Sequence, residues 1–174
     1  MSDGGGQLDL RHLLRELTPG PGWPRWAFLL ALLGLVAAGL AGVFGQSPET
    51  TAASGPRASL QVQAPERLRG GLYYQGRFVV QARERLQRPT IVLDRGWLEQ
   101  MSINSIVPQP EQERSTRDGR LELVWGPLAA GARLVAYVYF QVNPTNVGAK
   151  SQDAELRDGA ATIARVQRDL LVFP

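Results

Sequence analysis

The chain reads as a mainly β protein: an antiparallel sandwich of about seven strands, preceded by one transmembrane helix and a short amphipathic helix. Three observations predict it. Trp26 to Phe44 runs for nineteen residues without a charge, the length a helix needs to cross about 30 Å of hydrocarbon. From Leu60 onward apolar residues recur at every second position in short runs, which is the period of a half-buried strand. Pro, Gly and Asp-Gly steps separate those runs, and no helical period appears among them.

Residues 1–6, MSDGGG, are a polar start. In the stretch 7–17, Leu10, Leu13, Leu14 and Leu17 fall at helical spacing, with Asp9, Arg11, His12, Arg15 and Glu16 largely elsewhere on the wheel. So short a helix is marginal alone in water. Its leucine face calls for an apolar surface, either the inner surface of the membrane or a cytoplasmic or membrane partner. Residues 18–24, TPGPGWP, end it, because prolines and glycines do not continue a helix.

Arg11, Arg15 and Arg25 precede the apolar run and only Arg57 follows closely behind it. The positive-inside bias therefore sets the N-terminus in the cytoplasm and the C-terminal part outside. Trp23 and Trp26 belong at the boundary, where an amphipathic indole is stable. Cleavage as a signal peptide near Val43, Phe44 and Gly45 competes with this. The apolar run exceeds the usual signal core of about 7–15 residues and a long tail precedes it, which favours an uncut anchor. Within the span, Gly34, Ala38 and Gly42 repeat every four residues along one face, a spacing that lets two helices pack closely. The organisation expected is a cytoplasmic tail over 1–25, the anchor over 26–44, a flexible polar linker over 45–58 and an outer domain over 59–174.

In that domain SLQVQA alternates Leu60, Val62 and Ala64, and LYYQGRFVVQARER sets Tyr74, Phe78, Val80 and Ala82 against Tyr73, Gln75, Arg77, Gln81 and Arg83. PTIVLD and MSINSIVP are short apolar runs. After the polar loop PQPEQERSTRDG come RLELVW, then ARLVAYVYFQV with Leu134, Ala136, Val138, Phe140 and Val142 on one face, and finally ATIARVQRDLLVFP. Such runs with turn residues between them describe a sandwich of immunoglobulin-like type.

The pattern Asp118, Gly119, Leu123, Trp125, Gly126, Leu128, Ala130, Gly131, then a strand, Pro144 and Gly148 resembles the second half of the immunoglobulin-like repeat domains of bacterial cell-surface proteins. The first half of the domain does not follow that pattern, and the domain occurs once. The resemblance implies adhesive, spacing or assembly roles and carries over no catalytic residue.

Composition narrows the function classes. The net charge is +3 and nearly all the positive charge is arginine, Lys150 being the sole lysine. Arginine scattered among carboxylates reads as a solvated surface, and no basic block interleaved with aromatics speaks for nucleic acid. Cysteine is absent, so packing alone holds the domain. The one histidine, His12, lies in the tail. The outer domain therefore cannot assemble a Ser-His-Asp triad, a Cys-His pair or a zinc site of His and Cys ligands. Neither an enzyme nor a cofactor is expected. Glu111, Glu113, Asp118, Asp153, Glu155 and Asp158 remain as candidates for calcium or an acid–base pair. Calcium wants about six to eight converging oxygens, and solvated loops are the simpler reading of this spacing.

Two surfaces stand out. Tyr137 and Tyr139, with Val135, fall opposite Leu134, Val138 and Phe140, so that strand is either covered on both faces or displays an aromatic stripe to a partner or to lipid headgroups. RGWLEQMSINSIVP crowds Trp97, Leu98 and Met101 around a turn, as a plug at the sandwich end or as an exposed contact. Tyr137, Tyr139, Trp97 and Met101 are the candidate contacts of the outer domain. The function expected is an accessory or assembly subunit of a membrane or envelope complex, single-pass in the cytoplasmic membrane, with the bilayer and a membrane or envelope component as partners. The alternative is a surface domain that binds a polysaccharide or another envelope ligand.

Overall fold

The computed structural model describes residues 23–40 and 47–174. The chain divides into two compact units, Met1–Val43 and Phe44–Pro174. In the first, one helix, α1, spans Trp23–Leu40. Its mean hydropathy is 1.6 and none of it is buried, so by length and composition it can cross a membrane. It begins earlier than the sequence suggests. Trp23 and Pro24, expected to belong to the breaker before the span, form its first turn, where a proline's missing N–H costs no intrahelical bond. The leucines of the amphipathic stretch, with His12, lie outside the described residues, as does Gly42.

The second unit is mainly β, with thirteen strands among the described residues. Sheet I runs in the order β1 (Pro48–Ser54), β2 (Ala58–Pro65), β4 (Tyr73–Ala82), β9 (Arg133–Val142) and β6 (Met101–Val107). Sheet II runs β12 (Ala161–Val166), β11 (Ala154–Asp158), β5 (Pro89–Leu93), β8 (Leu121–Val124) and β7 (Gln112–Ser115). A small sheet III joins β10 (Gly148–Ser151), β13 (Asp169–Phe173) and β3 (Arg67–Arg69), with β13 and β3 parallel and the other pairs antiparallel. All seven apolar runs of the sequence are strands, the last of them split into β12 and β13.

Residues 48–54 correct the linker reading. PETTAAS is an edge strand paired antiparallel to β2 from Pro48 opposite Pro65 to Ser54 opposite Ser59. Its side chains are mostly exposed, so it leaves no apolar period to read. Among the described residues it is held by backbone pairing, which composition does not register.

The inner faces of the two large sheets share one hydrophobic cluster that includes Leu60, Phe78, Val138 and Phe140 from sheet I and Ile91, Leu93, Leu123 and Leu156 from sheet II. Trp97 sits within it with no exposed surface, its ring centre 5.3 Å from that of Phe78 and 5.3 Å from that of Phe140. It arrives there on a 3-10 turn, Arg95–Trp97. Gly96 in that turn runs so close to β10 that an added Cβ would lie 1.8 Å from the Ser151 carbonyl oxygen. The indole Nε1 donates to the Asp153 carbonyl at 3.0 Å. Trp97 is thus a core residue and unavailable as a contact, the correction to its placement among the outer contacts. A bulky indole in a turn finds its burial only once both sheets are in place.

Candidate polar and aromatic binding face

Alternation along each strand of sheet I sends one set of side chains into the core and the other outward. Adjacent strands are in register, so the outward sets line up in rows. Arg77 on β4 stands opposite Tyr137 on β9, Gln75 opposite Tyr139, and Tyr73 opposite Gln141. Every outward tyrosine therefore has an amide or a guanidinium across the strand boundary. Tyr73 is 62% exposed and Tyr139 39%, whereas Tyr137 and Arg77 are half-buried. On the far side of β4, Gln63 is in register with Arg77, and the Arg77 Nη1 donates to its Oε1 at 3.4 Å. On the far side of β9, Ser105 and Val107 of β6 align with Tyr139 and Tyr137.

The charge of this face is simple. Strands β2, β4, β6 and β9 contain no Asp or Glu. Glu49 on β1 is in register with the inward-facing Ala64. Arg77 and Arg133 are its cations, and neither has an ion-pair partner among the described residues.

The outer side of sheet II is built otherwise. Arg165, Glu155, Val92, Glu122 and Arg114 make one cross-strand row. Arg157, one row along, reaches Glu155 at 2.6 Å and Glu122 at 3.6 Å, and Arg165 reaches Asp153 at 3.0 Å. Beneath these pairs Val92 is buried. Asp158, at the end of β11, takes the Arg57 guanidinium at 2.7 Å and the backbone N–H groups of Gln87 at 2.9 Å and Arg88 at 2.7 Å. Burial alone would raise the Asp158 carboxyl, but the Arg88 amide, the Arg57 guanidinium and the Gln87 amide outweigh it and hold its pKa below the usual carboxylate value. Glu155 behaves alike: burial pushes it up, and hydrogen bonds from Arg157 and Thr162 bring the net shift down.

These pairings place the carboxylates considered for calcium. Asp153, Glu155 and Asp158 each have a separate arginine, and Asp118 takes Arg120 at 2.9 Å and the Thr116 hydroxyl. No group of three or more metal-ligating side chains converges among the described residues.

Between the sheets lies a polar group that the sequence does not announce. Arg168 is buried and donates from Nη2 to the carbonyls of Ala64 and Pro65, each at 2.9 Å. Its guanidinium carbon is 5.2 Å from the Trp97 ring centre, a cation–π distance. Gln152, also buried, donates to the Tyr74 hydroxyl at 2.9 Å. These groups are buried, unlike the outward tyrosines, and fasten β13's approach to β2 and to the core.

No protein-family model and no curated protein matches the chain. Solved structures do. The solution structure of CaCohA2 from Clostridium acetobutylicum, a cohesin domain, matches with TM-score 0.46 and 9% identity over 68% of this chain and 92% of that one. The human F-spondin reeler domain matches with TM-score 0.39 and 14% identity over 69% of this chain and 91% of that one. Both are β-sandwiches. At these scores the likeness is one of fold alone.

Of the residues singled out in the sequence, the fold brings Tyr137 and Tyr139 onto one open face. It sets Met101 at the rim of β6, half-buried, with its Sδ accepting from the Tyr74 hydroxyl at 3.4 Å. Gly34 and Ala38 share a face of α1, and an added Cβ at Gly34 would touch nothing within 4 Å. Tyr73, Gln75 and Arg77 were not singled out. Their alternation was visible in LYYQGRFVVQA, but their alignment with the tyrosines of β9 is a matter of register, which the run does not encode.

Proposed function

We propose that this chain is a single-pass membrane protein, its tail in the cytoplasm, that holds a non-catalytic β-sandwich outside and offers the outer face of sheet I to a component of the cell envelope. The observation that carries this is the contrast between the two sheets. One outer face ties most of its charges into ion pairs, and the other sets phenols and amides beside Arg77 and Arg133, which have no ion pair among the described residues. Groups left open in this way are recognition chemistry. The anchor reading is supported by the apolar helix and the arginines before it.

The test is a photo-crosslinking residue placed at Tyr139 and, as a control, at Thr162 on the opposite side, in full-length protein in its own membranes. Adducts from position 139 and none from 162 are the expected result. Equal yields from both positions, or none from either, would end this reading of the face.

A second reading rests on α1. Its small residues Gly34 and Ala38, four apart and open to approach, suit close packing with another helix, which would make the chain an accessory or assembly subunit. Gly34→Leu would then abolish capture of a membrane partner through the helix while leaving the crosslinks from position 139 unchanged.

A further inference from the structure

Resting on that reading of sheet I, we infer that the ligand of its outer face is an acidic polysaccharide, with Arg77 as the residue that recognises the acid. Tyr137 and Tyr139 are two residues apart on β9, so their rings repeat at about 7 Å along the strand. Tyr73 continues the series one row further on, across on β4. A file of phenol rings along a sheet suits a chain of pyranoses. The apolar C–H face of each sugar lies on a ring while its hydroxyls bond to neighbouring side chains. The structure supplies those neighbours row by row: Gln75 beside Tyr139, Gln141 beside Tyr73, and Arg77 beside Tyr137.

Charge selects the class of sugar. With no carboxylate on β2, β4, β6 or β9, an anionic chain meets no like charge on these strands, and Arg77 holds one long hydrogen bond, 3.4 Å, to the uncharged amide of Gln63. A guanidinium so placed binds a sugar carboxylate by charge-assisted and bidentate bonding, which an ammonium or an amide does not reproduce.

The experiment uses the full-length chain in phosphatidylcholine nanodiscs and two immobilised probes, polygalacturonate and its full methyl ester, which differ in charge and share the sugar. Wild-type protein is expected to bind the acid at least about tenfold more tightly than the ester at low salt, a preference of about 1.4 kcal/mol, and to lose that preference as salt rises. Arg77→Gln removes the preference by weakening acid binding more than ester binding, whereas Tyr139→Ala weakens both alike. Should Arg77→Gln lower the unfolding midpoint, Arg77→Lys keeps the charge and retains part of the preference. Equal binding of the two polymers, or a preference that survives Arg77→Gln, overturns the assignment of the acid. Binding to neither polymer overturns the polysaccharide. In that case, adducts from position 139 in native membranes would leave the face standing with a protein as its partner, and their absence would remove both.

Discussion

The outer face of sheet I rides on strands of 7 to 10 residues and that of sheet II on strands of 4 to 6, and the two solve the problem of exposed polar groups in opposite ways. On sheet II, Arg157 bridges Glu155 and Glu122 over a buried Val92. On sheet I, tyrosine, glutamine and valine take most of the outward positions, and Arg77 and Arg133 have no ion pair among the described residues. A face that satisfies itself gains stability and has little left to offer a ligand. A face that does not is free to bind, at small cost to the fold because its groups stay hydrated.

The contrast can be tested by stability first and binding second. Trp97→Ala sets the scale. It empties the space between Phe78 and Phe140 beneath both faces and should cost about 3–5 kcal/mol, read as a large drop in the thermal midpoint. A drop no greater than that of a surface variant would mean that Trp97 is not the core residue it is described as. Asp158→Ala comes next, since it strands the N–H groups of Gln87 and Arg88 and the Arg57 guanidinium. A loss of about 1–3 kcal/mol is expected, against about 0.5 kcal/mol or less for Arg77→Gln on the opposite sheet. Equal losses would erase the distinction between the faces.

Acid should find sheet II and its ends as well. Asp158 and Glu155 titrate below their ordinary values in the folded chain, so on acidification the unfolded state takes up protons first. Their contribution is complete above pH about 5 and declines as pH falls through about 4 and below. Melting curves between pH 7 and 3 should show that decline, and it should be shallower in Asp158→Asn and Glu155→Gln. An unchanged profile in both variants would assign the acid sensitivity elsewhere. The smallest effect belongs to Tyr73→Ala, where a loss within about 0.5 kcal/mol is expected to accompany a clear loss of ligand binding.

Much of this was legible before folding. Every run of period two became a strand, and along β4 and β9 inward and outward sides fell where the alternation put them. The glycines of the turn pattern, Gly119, Gly131 and Gly148, do adopt positive φ. What escaped were the short strands with little to bury, such as β1 and the fully exposed β7, and the pairing of Asp158, whose partner Arg57 lies far off along the chain. Trp97 was ambiguous for a related reason: an indole beside a turn is apolar in either setting, and burial is decided by what closes over it.

The sequence by itself determined a helix long enough to span a bilayer and, for each long strand, which residues share a side. Both follow from local geometry, since 1.5 Å per helical residue and alternation in a strand are properties of the backbone. Only the tertiary structure decided that Tyr73, Gln75 and Arg77 stand beside Gln141, Tyr139 and Tyr137, and that Arg57 meets Asp158 across 101 residues. Strand order and register are chosen by burial of the whole inner surface at once, so the outer rows, with their chemistry, are set by the packing of residues they never touch.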